Sequence, residues 1–383
     1  MSRSSRASDN RYADGNTRPE QKMRINESVA VLWRGANTVQ LELGPRRIVV
    51  ENVGTEQLLA LMPARRVSPR GSSVSPASAV SNVDPAQECE PELSDLRRVL
   101  DRSGFMSRSS TRLDVLDQEH AEPAHLLPDL SALTGAIGSD ARSVLMARHE
   151  TAIAVHGTSR LAVSIAATLA AAGVGWVQLV NGGDVSAADA CPGGLAPSDE
   201  GRRFGAAAAD AIRRAAPDVD TTPIPYDRRA DLVVLTDPGP IDSAVRASLH
   251  LDGLAHLSAE VSGLRAIVGP LVLPGVTSCL RCADLHRTER DPAWPALAVQ
   301  LSGLPKRRRS SDVALCVATA GLTASQALAY LDRQHPATVE GTLEWQLPDW
   351  RLRRRSWPPH HACDCGASAK MVRAGQNGHV SLR

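Results

Sequence analysis

Apolar and polar positions alternate twice near the start of the chain, in VAVLW (29–33) and TVQLEL (38–43), with GANT (35–38) between them. Alternation at period two predicts strands, and the glycine-bearing spacer predicts a hairpin. RRIVVENV (46–53) follows a Gly44-Pro45 turn as a third strand, and TEQLLALM (55–62) follows as a helix capped by Thr55. From 63 to 88 periodicity gives way to Ser, Pro and Arg, the composition of a linker or long insertion. Leu93, Leu96, Val99 and Leu100 then share one face of a helix over 91–106, which Gly104 ends. Together these segments predict a small α/β module of three strands and at least two helices.

Residues 107–150 predict a helix or two joining this module to the next. There the pattern changes. TAIAVHG (151–157) is a continuous apolar run ending in glycine, SRLAVSIAATLAAAG (159–173) a helix of small residues, and VGWVQLVNGG (174–183) a second apolar strand. Strand, glycine turn, helix and strand within about 30 residues make one βαβ unit. An Ala-rich helix over 205–216, a strand DLVVLTD (231–237), a helix over 240–253 and a strand LAHLSAEV (254–261) continue the alternation. That order predicts a parallel, doubly wound sheet. A buried helix over 311–331 and β-like alternation over 338–357 complete it, before a short tail.

Composition narrows the function. The 383 residues are 43% hydrophobic, enough for two cores, and the net charge of +1 gives no global field for nucleic acid or membrane. The first 22 residues are polar, without the apolar stretch of a secretory signal, and no uninterrupted apolar run of about 18 residues predicts a membrane span. The expected location is the cytoplasm. In a reducing compartment, an odd count of seven cysteines argues for metal binding over disulfides.

Cys279 and Cys282 form a CxxC pair, and Cys363 and Cys365 a CxC pair. Each turn aims two thiolates at one point, and four sulfurs close a tetrahedral zinc site with no open position. Such zinc is structural. A redox CxxC would leave the second pair unexplained. His360 and His361 are spare ligands, His361 rather a neighbour than a ligand.

Gly157 ends the first strand of the βαβ unit, where a bound phosphate needs backbone N–H groups at a helix start. The segment reads Gly157-Thr158-Ser159-Arg160, one glycine where a dinucleotide fingerprint has three. A plain strand-to-helix turn is the simpler reading, with Arg160 able to compensate by charge. The second strand ends at Asn181 where a ribose-binding acid is expected, and Asp184 comes three residues late. Asp237 ends the third strand, where it either holds a metal ion near phosphates or caps the next helix. Arg202 and Arg203 stand ahead of the Ala-rich helix as phosphate contacts or solvated charges. The basic runs KRRR (306–309) and RLRRRSW (351–357) are solvated faces or, second, a surface for an acidic partner.

LAAAGVGWVQLVN (169–181), VVLTD (233–237) and CLRC (279–282) resemble the ThiF/E1-like superfamily, which activates carboxyl termini of ubiquitin-like and sulfur-carrier proteins by adenylation. The glycine loop, the ribose acid and a lysine whose place Phe204 takes all depart from that pattern. VLWRGANTVQLEL (31–43), residues 268–295 and RRRSWPPHHACDC (353–365) are similar to the actinobacterial-type E1-like partner of cyclodehydratases in thiazole/oxazole peptide biosynthesis.

The resemblance implies a winged-helix-like peptide-recognition module over 23–110, interrupted by a Ser/Pro-rich insertion over 63–90, and a connector over 111–150. A Rossmann-like ThiF/E1 domain with a mostly parallel sheet follows over 151–365, between disordered residues 1–22 and a tail over 366–383. It implies a noncatalytic scaffold that binds a precursor peptide and passes it to a YcaO-type enzyme; Leu93, Leu96 and Leu100 either floor the groove or, residue by residue the simpler reading, belong to the core. The alternative is a working adenylyltransferase with ATP and Mg²⁺ at Asp237, and a third reading is a repurposed interaction domain. A homodimer is implied by analogy alone.

Overall fold

The computed structural model describes residues 23–25, 29–34, 37–43, 46–62, 91–108, 123–137, 141–157, 159–180, 182–237, 239–303 and 311–367. The chain divides into two compact units, 1–141 and 142–383. The division falls inside the segment read as a connector.

In the first unit, β2 (Ala30–Trp33), β3 (Thr38–Leu43) and β4 (Arg46–Glu51) form an antiparallel meander, and β1 (Met23–Ile25) pairs with β5 (Met106–Arg108). Val39, Leu41 and Leu43 point from one face of β3 into the core, as alternation requires. Helix α1 (Thr55–Leu61) contributes Leu58 and Leu61, and α2 (Pro91–Arg102) contributes Leu96 and Leu100. Helix α3 (Leu127–Ile137) meets β4 through an Arg46 guanidinium donating to the Ala136 carbonyl at 2.9 Å. Thr55 is not the cap expected of it. Gly54 caps α1, its N–H donating to Gln57 Oε1 at 3.0 Å. Gly104 does end α2: its φ of +74° turns the chain so that the Phe105 N–H reaches the Leu100 carbonyl at 2.9 Å and Phe105 enters the core.

The second unit holds a seven-stranded sheet in the order β12-β11-β10-β9-β8-β6-β7. Its parallel part is β6 (Ala152–His156), β7 (Trp176–Val180), β8 (Leu232–Leu235) and β9 (His256–Ser262). β10 (Arg265–Val272), β11 (Gly341–Gln346) and β12 (Arg353–Ser356) add on antiparallel, so the sheet is mixed rather than doubly wound throughout. The change of direction occurs at Gly263, whose φ of +59° lets the chain fold straight back from β9 into β10.

Both faces of the parallel part are covered. Ile153, Val155, Leu232 and Val234 meet α5 (Arg160–Ala171) and α10 (Val313–Leu331), while Ala154, Val233 and Leu235 meet α7 (Ser243–Leu251) and the start of α8 (Leu280–Arg290). This two-sided burial is why these strands read as continuous apolar runs. Helix α6 (Phe204–Ala215) packs on α5, and α9 (Trp294–Gly303) on α8. By length and hydropathy α10 alone among the described helices is able to cross a membrane, contrary to the sequence expectation. Its Leu315, Cys316, Ala320, Ala324 and Ala327 are spent on the sheet core.

Helix α4 (Ala141–His149) is clamped by a buried ion pair. Arg148 Nη2 lies 2.7 Å from Asp332 Oδ2, Nε 2.9 Å from Oδ1, and Nη1 donates to the Ala172 carbonyl at 3.0 Å. One guanidinium thus ties together the ends of α4, α5 and α10.

His256 is buried at the start of β9, with Nδ1 2.9 Å from the Leu254 carbonyl. Burial pushes its imidazole below the ordinary value. The unfolded state therefore binds the proton first, near pH 6.5, and stability falls as pH drops from there toward the lower folded value. Urea midpoints at pH 7.5 and 5.5 should converge partly in His256→Gln, and an unchanged gap would rule His256 out as the source.

Candidate functional site

Cys279 is the N-cap residue of α8 and Cys282 lies in its first turn. Cys363 and Cys365 follow β12, where buried Trp357 anchors the chain by donating Nε1–H to Thr342 Oγ1 at 2.9 Å. The four sulfurs meet: Cys279–Cys282 at 3.8 Å, Cys279–Cys363 at 3.6 Å and Cys282–Cys365 at 3.7 Å, all four within 4.8 Å of one another. Four sulfurs about 2.3 Å from a central ion have edges of about 3.8 Å. The cluster is therefore shaped to hold a metal ion.

Its protonation agrees. The Cys279 thiol donates to Cys282, which raises the Cys279 pKa and holds Cys282 down at about 4, while burial pushes Cys363 up to about 11. Buried thiolates suppress one another, and a cation at the centre removes that conflict. Arg281 braces the two pairs across the surface, 2.6 Å from Asp364.

Neither spare histidine joins the cluster. His360 Nδ1 accepts the Ala362 N–H at 3.1 Å, so Nε2 carries the proton and donates to Glu289 Oε1 at 2.8 Å. His286 completes a second close group with these two. The tautomer fixed at His360 makes that group a clasp between α8 and the CxC segment. His361 stacks on His360 at 4.5 Å.

The crevice at the carboxyl ends of β6 and β8 is where nucleotides bind in open α/β sheets. Here two side-chain hydrogen bonds cross between its described residues. Thr236 Oγ1 donates to the His156 carbonyl at 3.0 Å, and Ser159 Oγ donates to the Thr236 carbonyl at 3.0 Å. Gly157 has a φ of +138°, and a Cβ there would lie 2.2 Å from Thr236 Oγ1 and 2.9 Å from Asp237 Oδ1. This close approach requires the glycine. Gly157→Ala is expected to cost about 1–3 kcal/mol from the backbone and a similar amount from overpacking. Urea denaturation measures it, and a loss under about 1 kcal/mol would contradict the seam.

The cations near it have partners, although Arg160 Nε is buried without one and Arg203 is exposed. Arg160 donates to the Ser311 carbonyl at 3.2 Å and the Ala190 carbonyl at 2.6 Å. Arg202 pairs with Asp199 at 2.6 Å and also with Asp210, and Arg203 with Asp184 at 3.1 Å. Burial pushes His156 below its ordinary pKa against the pull of Asp237, so it brings no charge at neutral pH. Phe204 is fully buried. Asp237 lines a cavity of about 70 Å³ with Glu260 and Asp284, far below the roughly 300–1,000 Å³ of small-molecule pockets. Thr158, Asn181 and the basic run at 306–309 lie outside the described residues.

The leucines expected to floor a peptide groove belong to the first unit's core. Leu100 is fully buried and Leu96 8% exposed, so neither offers a groove floor; the Leu93 side chain lies outside the described atoms. Sequence reasoning missed the Thr236–Ser159 seam, for which single polar residues give no signal.

A βαβ opening, a mostly parallel mixed sheet with an antiparallel end and a four-thiol cluster closing the chain onto α8 define the α/β fold of the second unit. Solved structures share that fold. E. coli MccB with MccA-N7isoASN matches at a TM-score of 0.65 and 13% identity, covering 90% of this chain and 99% of that one. E. coli MccB with ATP matches at a TM-score of 0.64 and 14% identity over the same shares. PaaA matches at 0.53 and 16%, covering 69% of this chain and 92% of its own. No protein-family profile matches the sequence, and no curated protein does.

Proposed function

We propose that this chain is a noncatalytic E1-like scaffold that binds a precursor peptide and presents it to a separate YcaO-type cyclodehydratase. The observation that carries the reading is the crowding at the crevice: a Cβ at Gly157 would meet Thr236 Oγ1, and Arg160 donates to two carbonyls. Such crowding supports a role in binding rather than in adenylation. Peptide binding is supported by the neighbours, since the microcin C7 biosynthetic enzyme MccB is solved in complex with N-formylated MccA. In this account, Cys279, Cys282, Cys363 and Cys365 hold structural zinc, and the protein works in the cytoplasm, as a homodimer by analogy.

The peptide is assigned to the first unit, as an added strand. β2 ends the meander, and Leu32 and Trp33 on it are 46% and 45% exposed. An extended peptide pairs with such an edge through main-chain hydrogen bonds while exposed apolar side chains read alternate residues. The test is calorimetry of the full chain, native and Trp33→Ala, with any Cys/Ser/Thr-rich peptide that sequencing finds encoded beside its gene. Binding weakened at least tenfold in the variant supports the assignment; no binding by the native chain removes it.

A working adenylyltransferase is the second reading. Structures of MccB hold ATP, and Asp237 ends β8 where a carboxylate can hold Mg²⁺.

A further inference from the structure

A second cleft lies between the α8–α9 pair and the end of the sheet, and shares Arg287 with the cavity that Asp237 lines. It encloses about 230 Å³. Its walls carry four guanidiniums, from Arg265, Arg287, Arg290 and Arg355, against two carboxylates, Glu344 and Asp291.

Those carboxylates do not neutralise it. Glu344 is shared between Arg265 at 3.1 Å and Arg355 at 3.3 Å. Asp291 turns back to accept the Ala293 N–H at 3.0 Å. Arg287 leans on Asp284 at 2.9 Å, but that carboxylate also takes Arg246 at 2.6 Å. Arg290 donates to the His286 carbonyl at 3.3 Å and lies over the Trp357 ring at 4.8 Å. A carbonyl and an aromatic face leave most of its five donors for another acceptor.

The tryptophans hold these donors in place. Arg287 lies 4.9 Å from the Trp357 ring and 5.2 Å from Trp294, and Arg355 lies 5.7 Å from Trp357. Stacking on an indole fixes a guanidinium plane without consuming its hydrogen bonds. Trp357 is itself buried and bonded to Thr342, so the platform is rigid. The cleft is thus a preorganised array of forks with an excess of two positive charges.

We propose that this cleft docks an acidic, extended segment of a protein partner, its carboxylates entering the arginine array. The geometry points to a peptide chain for two reasons. At about 230 Å³ the cleft is smaller than the roughly 300–1,000 Å³ of sites that enclose a small molecule, and suits side chains projecting from a strand. Arg355 also belongs to β12, the terminal strand of the sheet, whose Arg353, Arg354 and Arg355 are all exposed. An edge so charged repels a second copy of itself. It favours a strand of opposite charge. This site goes beyond the proposed function and stands on the second unit alone, so its failure leaves precursor binding at β2 untouched.

The test uses the full chain and fluorescein-labelled hexaglutamate, followed by anisotropy. Hexaglutamine, inorganic phosphate and ATP serve as competitors. We expect saturable binding of hexaglutamate that weakens with salt. Arg290→Gln and Arg265→Gln should each weaken it about tenfold, as the loss of one charged hydrogen-bonding partner implies. Arg351→Gln, exposed and outside the cleft, removes the same charge and should leave binding within about twofold. Circular dichroism of each variant confirms folding. Equal losses in all three variants would overturn the site in favour of a diffuse field. Displacement by millimolar phosphate or ATP at equal affinity would overturn the peptide assignment, as would equal binding of hexaglutamine.

Discussion

Substituting Cys282 with serine is expected to strip the metal from the chain and destabilise the second unit by more than about 4 kcal/mol. Cys282 is fully buried among Cys363, Cys365 and Ala367, so the change removes a ligand from the centre of a closed cluster. The two pairs lie in distant parts of the sequence, and the ion joins the segment after β12 to the start of α8. What remains without it includes the His360–Glu289 clasp, the His286 contact with the Pro358 carbonyl at 3.0 Å, the arginines over Trp357, and the exposed and therefore weak Arg281–Asp364 pair. Elemental analysis should give about one zinc per native chain, with nearly all of it lost in Cys282→Ser. Melting temperature should fall on the order of 10 °C, and protease should cut between Trp357 and Cys363 first. A metal-free native chain of full stability would end the zinc account.

Arg148→Met should be nearly as damaging. It leaves the Asp332 carboxylate, 5% exposed, without its bidentate partner. Breaking such a pair from one side costs about 3–5 kcal/mol because a buried charge is stranded. It also leaves the Ala172 carbonyl at the end of α5 without its donor. Replacing both partners, Arg148→Met with Asp332→Leu, should recover most of the loss, since no charge then remains to be hydrated. Urea denaturation of the two singles and the double measures the coupling. A double variant as unstable as the sum of the singles would show that the pair acts only through packing.

Much of this fold was legible in the sequence because burial writes itself as pattern. β6, β7 and β8 are covered on both faces and read as apolar runs, and β3 alternates because one face is buried. β10 was not legible. Gly269 and Pro270 interrupt its apolar run, and the strand absorbs them where its pairing with β9 shifts register between Val268 and Leu271. Helix α8 was hidden by its polar composition, and α9, though apolar in sequence, buries none of its residues and leaves Leu297 and Val299 exposed. The four-thiol cluster was legible because cysteine spacing carries its own geometry. The groove leucines were not, because the helical face of Leu96 and Leu100 looks the same whether it meets the core or a ligand. The arginine cleft gathers residues from β10, β12 and α8, and no local pattern in the sequence assembles them.

The proposed scaffold binds a peptide without using ATP. Calorimetric titration of the full, zinc-loaded chain with Mg²⁺·ATP, in the presence of the precursor peptide, addresses this claim most directly. The account predicts no saturable heat up to about 1 mM ATP, a binding free energy weaker than about −4 kcal/mol. Saturation in the micromolar range, accompanied by pyrophosphate exchange, would contradict it and establish the chain as an adenylyltransferase.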